Sequence, residues 1–140
     1  MPNSVLIIIG QTAVGKTRLS LDLARYLNAE IISADSRQIY RYMNIGTAKP
    51  SPAELAEAPH HFIDILNPDQ AYSAGEFGND ARQVVAEIQA RHRLPMVVGG
   101  AGFYIRALVD GLSSPPIADP GIKALLKKRL QKEGDRKSVV

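Results

Sequence analysis

Val5-Leu6-Ile7-Ile8-Ile9-Gly10-Gln11-Thr12-Ala13-Val14-Gly15-Lys16-Thr17 is the stretch that decides the fold. Its first five residues are aliphatic, mostly β-branched and free of any polar break, the pattern of a strand buried on both faces of a parallel sheet. Gly10 ends that run. From Lys16 to Asn28, Leu19, Leu23, Tyr26 and Leu27 recur at helical spacing, so a helix follows the loop at once. The loop itself fits G-x-x-x-x-G-K-[ST], in the strand–loop–helix context that the pattern requires. Gly10, Gln11, Thr12, Ala13, Val14 and Gly15 can turn their backbone N–H groups around a phosphate. The helix N-terminus adds partial positive charge, Lys16 a full one, and the Thr17 hydroxyl can hold Mg²⁺. A polyphosphate site is expected, and the fold class that goes with it is α/β, a P-loop NTPase-like parallel sheet flanked by helices.

Outward from this unit the same alternation continues. Ile31-Ile32-Ser33-Ala34 reads as a second strand running into Asp35, and His61-Phe62-Ile63-Asp64-Ile65 as a third. Phe77, Ala81, Val84, Val85 and Ile88 mark an amphipathic helix that reaches Arg91. Pro95-Met96-Val97-Val98 is another buried strand before Gly99-Gly100, and Tyr104 falls in a further helix. Strands alternating with helices argue for a parallel sheet. Residues 45–52 and Asn67-Pro68-Asp69 are loops, punctuated by proline and glycine. Ser113-Ser114-Pro115-Pro116 is a linker-like break that divides a core, residues 1–112, from residues 113–140, where Ile122, Leu125, Leu126 and Leu130 form an apolar stripe on a basic helix.

With 140 residues, 45% of them hydrophobic, the chain can bury the core of one domain. Its longest apolar run is too short to span a bilayer, and the N-terminus has no basic start of a secretory signal. No cysteine is present, which excludes disulfides and thiolate zinc sites and suits a reducing interior. The expectation is a cytoplasmic protein with no membrane role, and a monomer. The net charge of +3 is uneven, since residues 120–140 hold seven Lys/Arg against two acids. Such a basic tail fits phosphate-backbone contacts and a solvated helix face equally well.

The phosphate loop does not say what is attacked, because kinases, ATPases and transferases all use it. The segment after the second strand is more telling. Asp35 leaves the sheet at the edge where ligands of such folds bind. A carboxylate there can ligate Mg²⁺ through water, accept a proton from a nucleophile, or cap a helix starting at Ser36. Asp35-Ser36-Arg37-Gln38-Ile39-Tyr40, followed by Met43-Asn44-Ile45-Gly46-Thr47-Ala48-Lys49-Pro50, resembles the signature of the tRNA dimethylallyltransferase (IPP transferase) family. The likeness extends through Ala58-Pro59-His60-His61, Ala71-Tyr72-Ser73-Ala74, Val97-Val98-Gly99-Gly100, Tyr104 and Ala118-Asp119-Pro120.

That resemblance implies transfer of a dimethylallyl group from dimethylallyl diphosphate to N6 of the adenosine next to the tRNA anticodon. It makes Gly10 to Thr17 the diphosphate cradle, Thr17 the Mg²⁺ ligand, and Lys16, Thr17 and Asp35 the catalytic set, with Asp35 the base at N6. Asp35, Ser36, Arg37, Gln38, Ala101 and Lys123 take the positions of tRNA contacts. Two departures stand out. Ala101 replaces a threonine usual after Gly99-Gly100, and the chain covers about half of such an enzyme, so full activity of these residues alone is not expected. The rival readings are a small-molecule kinase with ATP in the loop, an adenylate isopentenyltransferase, and a non-catalytic nucleotide-binding module. Against the kinase, the Val98 strand ends in glycine where an Mg²⁺-binding aspartate would be needed. His60 and His61 lack partners at metal spacing and are expected in packing or surface roles.

Overall fold

The computed structural model describes residues 4–10, 16–43, 49–111 and 138–139. Gln11, Thr12, Ala13, Val14, Gly15, Lys123 and the stripe from Ile122 to Leu130 lie outside these, and so does most of the proposed second unit. The described residues run β1 (Leu6–Ile9), α1 (Lys16–Leu27), β2 (Ala29–Ala34), α2 (Pro52–Leu55), β3 (His60–His61), α3 (Ala74–Ala90), β4 (Leu94–Gly99), α4 (Gly102–Asp110) and β5 (Ser138–Val139). The sheet order is β3-β2-β4-β1-β5. The first four strands are parallel, as expected, and β5 adds an antiparallel edge through Ile8↔Val139 and Ile9↔Ser138. The tail read as helical thus includes a short strand. Among the described residues no helix is long and apolar enough to cross a membrane.

The period-two alternation of the strands sorts the core into two layers. Leu6, Ile8, Ile31, Leu94, Met96 and Val98 pack with Leu19, Leu23 and Ala24 of α1 on one face. Ile7, Ile32, Ala34 and Val97 pack with Phe77, Ala81, Val85 and Ile88 of α3 and Tyr104, Ile105 and Leu108 of α4 on the other. Burying a side chain of this size contributes about 1.5–3 kcal/mol, and a helix as short as α1 is marginal without it. Packing on the sheet therefore holds α1. Tyr26, placed on the apolar stripe from its spacing, is 75% exposed, and Leu21 is buried instead. The helix stops at Leu27 because Asn28 turns to a left-handed φ of 53°.

Three local expectations are corrected. The third strand is only His60–His61, because Phe62 and Asp64 adopt φ of 69° and 57° and bend the chain out of the sheet. Ser51-Pro52 opens the short helix α2 with a reciprocal Ser51/Glu54 capping box, a signal legible as S-x-x-E but overridden by the neighbouring prolines. No helix starts at Ser36; residues 36–39 form a turn.

Candidate active site

Strand register fixes which residues meet at the carboxyl edge. Ile9 and Ala34 both stand opposite Gly99, one on each side. The chain therefore leaves β1 at Gly10, β2 at Asp35 and β4 at Gly100 on one level. With strands about 4.8 Å apart, the loop entrance and Asp35 lie about 10 Å from each other across β4. A Cβ on Gly99 would come within 2.1 Å of the Ala34 carbonyl oxygen, so this junction closes only around glycine. Gly10 N–H donates to Gly99 O at 3.3 Å and Ala101 N–H to Ala34 O at 3.1 Å, tying the three strand ends together.

Lys16 and Thr17 open α1, both half-buried. Lys16 Nζ donates to Gly10 O at 2.6 Å, which keeps the ammonium at the mouth of the loop. Burial pushes the Lys16 pKa below its ordinary value, and the Asp35 carboxylate opposes that shift. Desolvation is the larger effect, so this ammonium is under-compensated and favours an added anion.

Asp35 uses one oxygen structurally. Its Oδ1 accepts from Arg37 N–H at 2.8 Å and Gln38 N–H at 3.1 Å, an Asx turn that takes the place of the expected helix cap. Oδ2 has no partner among the described residues, so turn-holding and chemistry are compatible in one side chain. Gln38 Oε1 accepts from Ser33 Oγ at 3.1 Å, while Ser36 and Arg37 are exposed. The turn is then clamped from outside. Gln38 O accepts from Asp64 N–H at 3.1 Å, Ile39 O from Ile65 N–H at 2.9 Å, and Arg41 N–H donates to Leu66 O at 2.7 Å. Lys49, its side chain 7% exposed, donates to Tyr40 O at 2.6 Å and pairs with Asp64. The lysine of the signature is thus a pin between two segments.

Lys16, Thr17, Asp35 and Gln38 line one crevice together with Ser20, Ile31, Ser33, Pro50, His60, Ile63, Val98 and Gly99. Four of the expected site residues converge here. Ala101 lies beside them at the N-cap of α4, where it makes no side-chain cap bond and packs its methyl on the α3-side core. The wall formed by His60, Ile63 and Pro50 carries no sequence signal, since His60 reaches the crevice only because β3 pairs beside β2, His60 opposite Ile31. A hard divalent cation takes oxygen ligands, and Thr17, which carries a hydroxyl, and Asp35, which carries a carboxylate, both line this crevice. The residues therefore fit Mg²⁺ shared with a diphosphate. Among the described residues no group of three His, Cys, Asp or Glu forms a metal cluster.

The opposite edge holds a charge network that sequence reasoning missed. Glu30, with a 4% exposed side chain, receives Arg91 Nε at 2.9 Å and Nη2 at 2.8 Å, and lies 2.8 Å from His61 Nε2. The Arg91 hydrogen bond, with help from His61, outweighs burial and holds the Glu30 carboxyl at about 2. This ties β2, β3 and the end of α3 together, far from the crevice mouth.

Comparison with known proteins agrees with this architecture. The IPP transferase family model matches residues 38–139. The chain belongs to that family. It is 51% identical over 131 residues to the tRNA dimethylallyltransferase of Chloroflexus aurantiacus, covering 93% of this chain and 44% of the relative. It is 54% identical over 127 residues to that of Halorhodospira halophila, covering 91% and 41%. Among solved structures, the tRNA delta(2)-isopentenylpyrophosphate transferase of Staphylococcus epidermidis superposes with a TM-score of 0.72 at 40% identity, over 91% of this chain and 41% of that one. A eukaryotic dimethylallyltransferase acting on tRNA gives 0.73 at 32% identity, over 79% and 28%. This IPP transferase chain spans less than half the length of the curated relatives it matches.

Proposed function

We propose that this IPP transferase chain carries the diphosphate-binding part of an enzyme that moves a dimethylallyl group from dimethylallyl diphosphate to N6 of the adenosine next to the tRNA anticodon. The observation that supports it most is the meeting of Lys16, Thr17 and Asp35 in one crevice, in a chain whose relatives are named for that reaction. In the step, the allylic carbon–oxygen bond breaks and its electron pair leaves with the diphosphate, while the N6 lone pair forms the new carbon–nitrogen bond. Lys16 and the loop amides stabilise charge on the departing diphosphate. Mg²⁺, when bound at Thr17, would add charge neutralisation there. Oδ2 of Asp35 takes the N6 proton as the bond forms and then releases it to solvent. Ser36, Arg37 and Gln38, carried on the turn that Asp35 holds, and Lys123 further along the chain are proposed tRNA contacts. The proposed setting is cytoplasmic and monomeric.

Calorimetry comparing dimethylallyl diphosphate with ATP, each with Mg²⁺, tests the ligand. The prenyl diphosphate should bind more tightly; tighter ATP binding accompanied by phosphate transfer to a small acceptor would overturn the reading in favour of a kinase. In a full-length relative the equivalent of Asp35→Asn separates binding from chemistry, because asparagine keeps the Oδ1 acceptor and hence the turn. Diphosphate affinity should stay near the parent value while prenyl transfer slows by about 10²–10⁴.

A further inference from the structure

Phe103 is 79% exposed, although Tyr104 and Ile105 directly after it are buried in the core. The ring stands in the first turn of α4, two residues after Ala101, whose N–H bonds Ala34 O at the start of the Asp35 turn. Two residues of chain reach at most about 7 Å. On the other side of Ala101, a Cβ added to Gly100 would lie 3.9 Å from Lys16 Nζ. The Cα–Cβ bonds of a helix tilt toward its N-terminus, so the phenyl ring leans toward the strand ends that carry the site. The space beside it is open, since a Cβ on Gly102 would meet no atom within 4 Å. Arg106 follows at i+3 on the same helix surface. It is exposed and has neither a hydrogen bond nor an ion pair among the described residues, Asp110 included. Other arginines are tied down: Arg18 pairs with Asp22 and Glu57, Arg91 with Glu30, and Arg82 donates to Ala107 O.

We propose that Phe103 is a positioning residue for the RNA substrate: its ring stacks an unpaired base next to the adenosine that Asp35 receives, while Arg106 holds a phosphate of the same strand. This rests on the tRNA reading above and deepens it. An aromatic face with a free guanidinium one helical turn away matches single-stranded RNA, which offers a base and a phosphate in each nucleotide. A protein partner fits less well. A stable protein interface buries about 800 Å² on each side, and the other exposed residues of α4, Gly102, Arg106 and Asp110, add no apolar surface around the ring.

The test uses the 140-residue chain, an RNA hairpin with an unpaired loop, and a blunt RNA duplex of the same composition. The chain has no tryptophan, so Phe103→Trp introduces a single indole whose fluorescence reports stacking directly. The looped RNA should quench it and the duplex should not. In anisotropy titrations Phe103→Ala should weaken binding of the looped RNA by about five- to 150-fold at an unchanged salt slope, and Phe103→Trp should keep the parent affinity. Arg106→Ala should instead reduce the salt slope by about 0.7. Because Phe103 is exposed, the variants should melt with the parent. An unquenched indole, or a Phe103→Ala affinity equal to the parent's, overturns the role of Phe103. So does a parent chain that sediments as a dimer and a Phe103→Ala variant that sediments as a monomer, since the ring would then join two copies. Calorimetry with dimethylallyl diphosphate and ATP on the same samples separates the two readings. If stacking fails while the prenyl diphosphate still binds more tightly than ATP, only the role of Phe103 falls; tighter ATP binding with phosphate transfer overturns both.

Discussion

Gly99→Ala is the sharpest perturbation of this site, because it adds a single methyl group at the junction of three strands. An ideal Cβ there meets Ala34 O at 2.1 Å, Ala34 C at 2.5 Å and Ala34 Cα at 3.0 Å, all backbone atoms held in the β2–β4 ladder. Ordinary contact begins near 3.4 Å, so the strand ends must separate by more than an ångström. That displacement stretches the Gly10 N–H to Gly99 O and Ala101 N–H to Ala34 O bonds, now 3.3 and 3.1 Å. Overpacking costs about 1–3 kcal/mol and each of the two weakened hydrogen bonds about 1 kcal/mol, so a loss of about 3–5 kcal/mol is expected. Urea unfolding of the chain measures it through the transition midpoint at constant slope. Gly102→Ala is the internal control: a Cβ there has no atom within 4 Å, and alanine at the first helical position should be neutral or stabilise by up to about 1 kcal/mol. Diphosphate affinity should fall with Gly99→Ala, since Gly10 and Asp35 move apart. A Gly99→Ala midpoint matching the parent within error would refute the claim that close backbone approach dictates glycine here.

Lys16→Ala should weaken diphosphate binding by about tenfold or more in calorimetry, since it removes an under-compensated ammonium from the loop mouth. Glu30 should dominate the acid limb of stability. Its folded value of about 2 lies below the ordinary 4.5, so its contribution is fully present above about pH 4.5 and is lost as pH falls toward 2. Glu30→Gln should flatten that limb in acid titrations of unfolding, and an unchanged slope would remove Glu30 from the account. Arg91→Ala should lower the urea midpoint at neutral pH by leaving Glu30 short of its main partner. Ala101→Ser should raise the melting temperature, because α4 begins without a side-chain cap. The gain should be about 0.5–1 kcal/mol, and a lowered melting temperature would mean that the hydroxyl cannot reach the first-turn amides.

The sequence by itself determined the fold class and the placement of Lys16 and Thr17 at the start of α1 beside Asp35. An unbroken apolar strand, a glycine loop and a helix starting at Lys16 can satisfy their backbone groups and bury their side chains in essentially one way, and Asp35 follows from where the second strand must end. The family signature was equally legible, because Asp35 to Pro50 is a contiguous string. What required the tertiary structure was everything carried by pairing between distant segments. Only the β3-β2-β4-β1 order brings His60 beside Ile31 and so into the crevice. Only the backbone placed Phe62 and Asp64 in left-handed conformations, which no side-chain pattern demanded, and thereby shortened the third strand and turned Ile63 toward the ligand wall. Lys49 read as part of a motif, yet its burial against Tyr40 O and Asp64 is a contact between loops. The Glu30–Arg91 pair spans 61 residues and lies on no common helix or strand period. Local periodicity reports which face a residue occupies, but it is the packing of the sheet that decides which faces meet.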